Sequence, residues 1–135
     1  MDLTTSLSVS ATGLRAQSLR MRVIAENLAN QDSVAKTPGG DPYRRQVVNF
    51  SAELDRANGG TGVKVDGVDT DKSNFERVYD PGSPAADASG YVLKPNVNGL
   101  LEAADMKAAQ RSYEANLSAI EAARNLTMRT IDLLK

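Results

Sequence analysis

The sequence predicts an α+β protein in which two long terminal helices, expected to pack together as a coiled-coil layer, flank a small β-rich insert. Three observations carry this. Apolar residues recur at alternating spacings of three and four over residues 3–30 and again over 98–134, the period of a helix face. All five prolines and most of the glycines fall between them. Within that middle part, residues 62–68 (GVKVDGV) alternate apolar and polar, as a strand with one buried face does. The expected segments are 1–30, 31–97 and 98–135.

In the first segment Leu7, Ala11, Leu14, Ser18, Met21, Ala25 and Leu28 form a heptad seam. Large residues stand at every seventh position, and small ones between them let a partner backbone come close. Ile24 widens the stripe. Gly13 costs the helix roughly 1 kcal/mol against alanine. The segment closes on AENLAN, with Asn27 and Asn30 one helical turn apart. Asparagine suits a helix C-terminus because it tolerates left-handed backbone and bonds local backbone groups.

The last segment starts at Asn98, whose side-chain oxygen can cap the first free N–H groups. Met106, Ala109, Tyr113, Leu117, Ile120, Ala123 and Thr127 mark one face, continuing to Ile131 and Leu134. With no proline or glycine after Gly99, this helix spans on the order of 55 Å. An insert this small cannot cover both helices, so the spare stripes need partners outside the chain. Ordering about 60 helical residues costs roughly 1–2 kcal/mol each in backbone entropy. The termini are therefore expected to become helical on assembly.

The insert contains two weaker strand candidates, residues 45–50 (RQVVNF) and 75–80 (FERVYD). Residues 80–84 and 90–96 read as extended chain with turns. A Gly-Gly-Thr-Gly turn precedes residues 63–68.

The totals exclude several functions. Lys plus Arg is 16 and Asp plus Glu is 17, a net charge of −1 in 135 residues. That gives no basic footprint for nucleic acid and no electrostatic lure to a membrane. Cysteine and histidine are both absent, which removes thiolate metal sites, disulfides and the commonest general base. No stretch is long and apolar enough to cross a bilayer, so direct membrane insertion is not expected. The start lacks the basic n-region and apolar run of a Sec signal. No cofactor and no metal are expected, and neither is catalysis.

Residues 69–80 (DTDKSNFERVYD) place Asp69, Asp71 and Ser73 at calcium-loop positions, but Asn74 stands where the loop needs glycine. A solvated loop is the better account. Tyr43, Arg44 and Arg45 read as a solvated or subunit-contacting face. Glu102 and Asp105 share a helix face and read as carboxylates solvating a helix start.

AENLAN after a heptad helix resembles the signature of the bacterial flagellar rod and hook axial superfamily. NLANQDSVAKTPGGDPYRRQVVNF, FERVYDPGSPAADASGYVLKPNVN and DMKAAQRSYEANLSAIEAARNL narrow the likeness to the proximal-rod C family of the flagellar basal body. The sequence departs from that family at Lys72 and Asn74, where proline is frequent, at Ser83, and at Gln31, where a small residue is usual. The resemblance implies a structural subunit of the rod, the drive shaft that carries torque across the periplasm from motor to hook. It implies self-assembly with copies and other rod subunits, and passage through the flagellar type III export apparatus without a cleaved Sec signal. Leu7, Leu14, Met21, Ile24, Leu28, Tyr113, Leu117, Ile120, Ile131 and Leu134 are the candidate subunit-packing residues. Asn27 and Asn30 would fix where the helix stops and the chain turns outward. The Ser/Thr-rich start would serve as the export signal, and removing residues 1–10 should leave the insert folded. Another axial subunit, such as proximal-rod protein B, is the alternative. A soluble export-associated binding module is a further one.

Overall fold

The computed structural model describes residues 2–135, so Met1, first in the expected helical segment, lies outside it. The elements in order are α1 (Leu3–Ala29), β1 (Gln46–Leu54), β2 (Thr61–Thr70), β3 (Glu76–Tyr79), β4 (Tyr91–Lys94) and α2 (Gly99–Leu133). Two long helices flanking a small β region make this an α+β chain. Asp2 opens α1, its carboxylate accepting from the Thr5 N–H at 2.7 Å. Asn98 caps α2, its side-chain oxygen accepting from the Leu100 and Leu101 N–H groups at 3.1 and 3.3 Å.

β1 pairs with β2 and β3 with β4, in two separate two-stranded sheets. β3 and β4 are antiparallel, with Arg77 opposite Leu93, Val78 opposite Val92 and Tyr79 opposite Tyr91. β4 is only four residues long, too short to show alternation, and so reads as mere extended chain in sequence.

The chain divides into two compact units, each drawing on both helices and the insert. Unit 1 gathers α1 up to Met21 with Val48–Gly67 and Lys107–Lys135. Its helices run antiparallel and close together. Gly13 faces Asn116, where an added methyl would stand 2.8 Å from Nδ2. Ala16, Ala109 and Ala123 are all buried. The β1–β2 turn rests on α1: the Thr5 hydroxyl donates to the Asn58 carbonyl at 3.1 Å, and the Val63 N–H donates to Thr12 Oγ1 at 3.0 Å. Gly60 lies against Thr5 and Val9, and Gly62 against Thr12, with no room for a Cβ.

The glycines of residues 59–62 thus serve two purposes. Gly59, with φ 75°, closes the turn with Asp55, whereas Gly60 and Gly62 allow strand backbone to touch helix. Thr5 and Val9 seat the first turn of the insert, so removing residues 1–10 takes away the surface on which that turn rests.

Unit 2 comprises Arg22–Val47 and Val68–Met106. Val23, Ile24, Ala85 and Val92 form its apolar centre, with Pro42 and Pro95 also buried. The Gln31 side chain, at the end of α1, lies against the Cα of Gly99 at the start of α2. Gly90 makes the turn into β4 with φ 83°, and a methyl there would meet Tyr79 Cε2 at 2.9 Å and Pro81 Cβ at 3.2 Å.

Gly90→Ala therefore suffers both backbone and steric strain. It should lose about 1–2 kcal/mol in denaturant unfolding, the cost of left-handed backbone, and weaken the tyrosine near-UV signal. Gly82→Ala, whose nearest atom is 3.8 Å away, should change neither measurement appreciably.

Candidate functional site

The segment after α1 folds back so that Pro42 to Gln46 lies over Asn27, and this makes a polar centre in unit 2. Asn27 Oδ1 accepts from the Tyr43 hydroxyl at 2.7 Å and from the Gln46 N–H at 2.9 Å. Its Nδ2 donates to the Gln46 carbonyl at 2.8 Å and to Glu102 Oε2 at 3.3 Å. A carboxamide offers two acceptor and two donor positions, and all four are filled. Asn27 and Glu102 are each only 1% exposed.

The second oxygen of Glu102 accepts a close charge-assisted bond from Arg45 Nε. The same guanidinium reaches Asp71 Oδ2 at 3.3 Å and Asp105 Oδ2 at 3.9 Å. Asn96 ties the backbone around it, accepting from the Arg45 N–H at 2.7 Å and donating to the Asp71 carbonyl at 2.9 Å. Arg44 donates to the carbonyls of Asp71 and Ser73 at 2.8 and 3.0 Å, and its guanidinium lies 4.1 Å over the Phe75 ring. Among the described residues no buried side-chain polar atom lacks a partner.

Burial disfavours the Arg45 charge, but Glu102 and Asp71 outweigh it and raise its pKa. The Asp71 carboxyl is lowered, first by the Ser73 backbone N–H and then by Arg45. The Tyr43 phenol is raised by burial and by the carboxylates of Glu26 and Glu102. The arrangement gathers three carboxylates, Glu102, Asp71 and Asp105, around one guanidinium and presents no nucleophile beside a base. Its chemistry is that of a clasp.

Three expectations change. Tyr43 and Arg45 turn inward instead of forming a solvated or subunit-contacting face. Glu102 is a buried ion-pair partner and does not solvate the helix start. Asn27 sits inside α1 and bonds across to Gln46 and Glu102, whereas Asn30 makes the helix end: its N–H and Nδ2 both donate to the Glu26 carbonyl, at 3.1 and 2.9 Å. Neither asparagine is left-handed, since among the described residues only glycines have positive φ. Asn27 lies three and four residues beyond Ile24 and Val23, so the buried face runs into it. That signal was present in the sequence.

Of the candidate packing residues, Ile24 is buried within its own chain. Leu7, Leu14, Met21, Leu28, Tyr113 and Ile120 are half-buried, and Leu117, Ile131 and Leu134 are exposed. Leu126, Met128 and Leu133 are exposed as well, outside the single stripe that the periodicity traces.

Glu102→Leu takes from Arg45 its buried partner and from Asn27 Nδ2 one acceptor, and should lose about 2–3 kcal/mol in chemical denaturation. Arg45→Met/Glu102→Leu, which removes both charges, should recover most of that loss. The Asp71 carboxyl is lowered below its ordinary 3.8, so its contribution is complete above that value and fades as pH falls through the folded pKa. Asp71→Asn should flatten the stability profile below about pH 4 and leave its slope near neutrality unchanged.

A family model described as the flagellar basal body rod FlgEFG protein C-terminal region matches residues 88–133. The flagellar basal-body rod protein FlgC of Agrobacterium fabrum is 50% identical over 133 residues, spanning 98% of this chain and 96% of that protein. FlgC of Bacillus subtilis is 43% identical, spanning 96% and 97%, and FlgC of Salmonella typhimurium is 38% identical, spanning 98% of each. With such identities along almost its whole length, the chain belongs to the FlgC family of flagellar basal-body rod proteins.

Proposed function

We propose that this chain, as a structural subunit of the rod, joins copies of itself and other rod subunits through the apolar faces its helices leave bare. The helices build the wall of a helical drive shaft across the periplasm, and the clasp in unit 2 holds the insert against them under torque. The observation that carries this is the C-terminal end of α2. Leu126, Met128 and Ile131 are about half exposed there, and Leu133 and Leu134 are 86% and 83% exposed. Large apolar residues gathered at one helix end mark a contact surface. The partly exposed Leu7, Leu14, Met21 and Leu28 of α1, with Tyr113, Leu117 and Ile120 of α2, extend the set.

The charged residues of the clasp are committed to holding the fold, which supports a role without catalysis. Among the described residues no helix is long and apolar enough to cross a membrane. The chain reaches the rod through the flagellar type III export apparatus, with its polar start kept.

Ile131→Asp tests the reading. A surface substitution should move the free chain's stability by no more than about 0.5 kcal/mol. The same variant should be missing from isolated basal bodies and leave cells non-motile. Normal motility with the variant present in the rod would refute the packing role.

Hydrogen exchange tests coupled folding. In the free chain, amides of α1 and α2 should exchange much faster than in the assembled rod, because the bare faces gain neighbours only there. Equal protection in both states would show that the helices are complete before assembly.

A further inference from the structure

We propose that Asn27, Arg45 and Glu102 form a register key, which selects one antiparallel alignment of α1 and α2 from several that their apolar faces would accept. The inference goes beyond the rod reading and does not rest on it.

The Gly13 contact discriminates poorly between alignments. In unit 1, Gly13 of α1 faces Asn116 of α2. A slip of one heptad would bring Ala109 or Ala123 there, and both are small residues already accommodated in buried positions. Sterics at this contact therefore permit the neighbouring alignments.

The polar centre does not. Both oxygens of Glu102 are used, one by Asn27 and one by Arg45. A slip in either direction carries Glu102 away from both and leaves a buried carboxylate without its partners. Arg45 is kept from following by Asp71, just beyond β2, whose Oδ2 holds its guanidinium at 3.3 Å. Asn27 cannot follow either, being tied to Gln46 through both donor and acceptor. Gln31 packed on Gly99 adds a steric stop in the same unit. A buried polar contact that sets helix register at little gain in stability is the best attested use of such groups.

The chain has no cysteine, so engineered pairs report alignment against a silent background. Gly13→Cys with Asn116→Cys reports the observed register. Gly13→Cys with Ala109→Cys, or with Ala123→Cys, reports a slip of one heptad, since a disulfide needs Cα atoms within about 7 Å. Each pair is oxidised in two materials: isolated rods, and the free chain in trimethylamine N-oxide, which strengthens burial. The free-chain arm is independent of rod assembly.

With the key intact, only the first pair should cross-link. In Arg45→Met/Glu102→Leu, where Asn27 keeps Gln46 and Tyr43, the slipped pairs should rise from background to within about twofold of the native pair. The proposal is overturned by native-only cross-linking in the double variant. It is equally overturned by slipped cross-linking with the key intact.

Discussion

A buried carboxylate sets the conditions that unit 2 has to meet. Glu102 projects from the first turn of α2 into a site with almost no solvent, where an unpaired negative charge is prohibitively costly. Arg45 must therefore be present, and its backbone must be held where its side chain can reach. Asn96 supplies that hold on one side and the Asn27–Gln46 bonds on the other. Asp71 then shares the guanidinium and fixes the chain just beyond β2. The loop of residues 31–45, the end of β2 and the approach to α2 are all located by one ion pair and the carboxamides around it.

Such a centre contributes specificity more than strength. A buried ion pair seldom surpasses well-packed apolar residues in stability. The apolar material inside this chain is itself modest, since the buried set is mostly alanine and valine, with Ile24 the largest of it. Larger leucines, isoleucine and methionine lie partly or wholly outside. The interior therefore defines geometry through hydrogen bonds and close backbone approach, and the adhesive surface points outward. That division is what the proposed packing of the helices into a rod requires.

Much of this was legible in the sequence. Helical period and the Asn98 cap located both helices to within one or two residues of their observed ends, and alternation found β2. Family likeness in motifs such as PYRR and GYVLKPN pointed to the rod. The inward face of α1 was harder to see. Heptad reading favours the large residues Leu7, Leu14, Met21 and Leu28, whereas the buried positions are Thr5, Gly13, Ala16, Val23, Ile24 and Asn27. Close backbone contact does select small residues, but the heptad reading places them at Ala11, Ser18 and Ala25, whereas Gly13 and Ala16 are the buried ones. The clasp was invisible for another reason. Arg45 and Glu102 lie 57 residues apart and Asn27 and Glu102 lie 75 apart, so no local spacing connects them.

The exposure at the end of α2 follows from helix geometry as well as composition. In unit 1, Gly13 of α1 stands beside Asn116 of antiparallel α2. Helices of equal rise then bring Leu3 beside Leu126, and those two residues do line one groove. α1 begins at Leu3, but α2 continues to Leu133. The turns beyond Leu126 therefore extend past the α1 helix. Met128, Ile131, Leu133 and Leu134 stay bare because the companion helix has run out, and repacking within the helix pair cannot cover them.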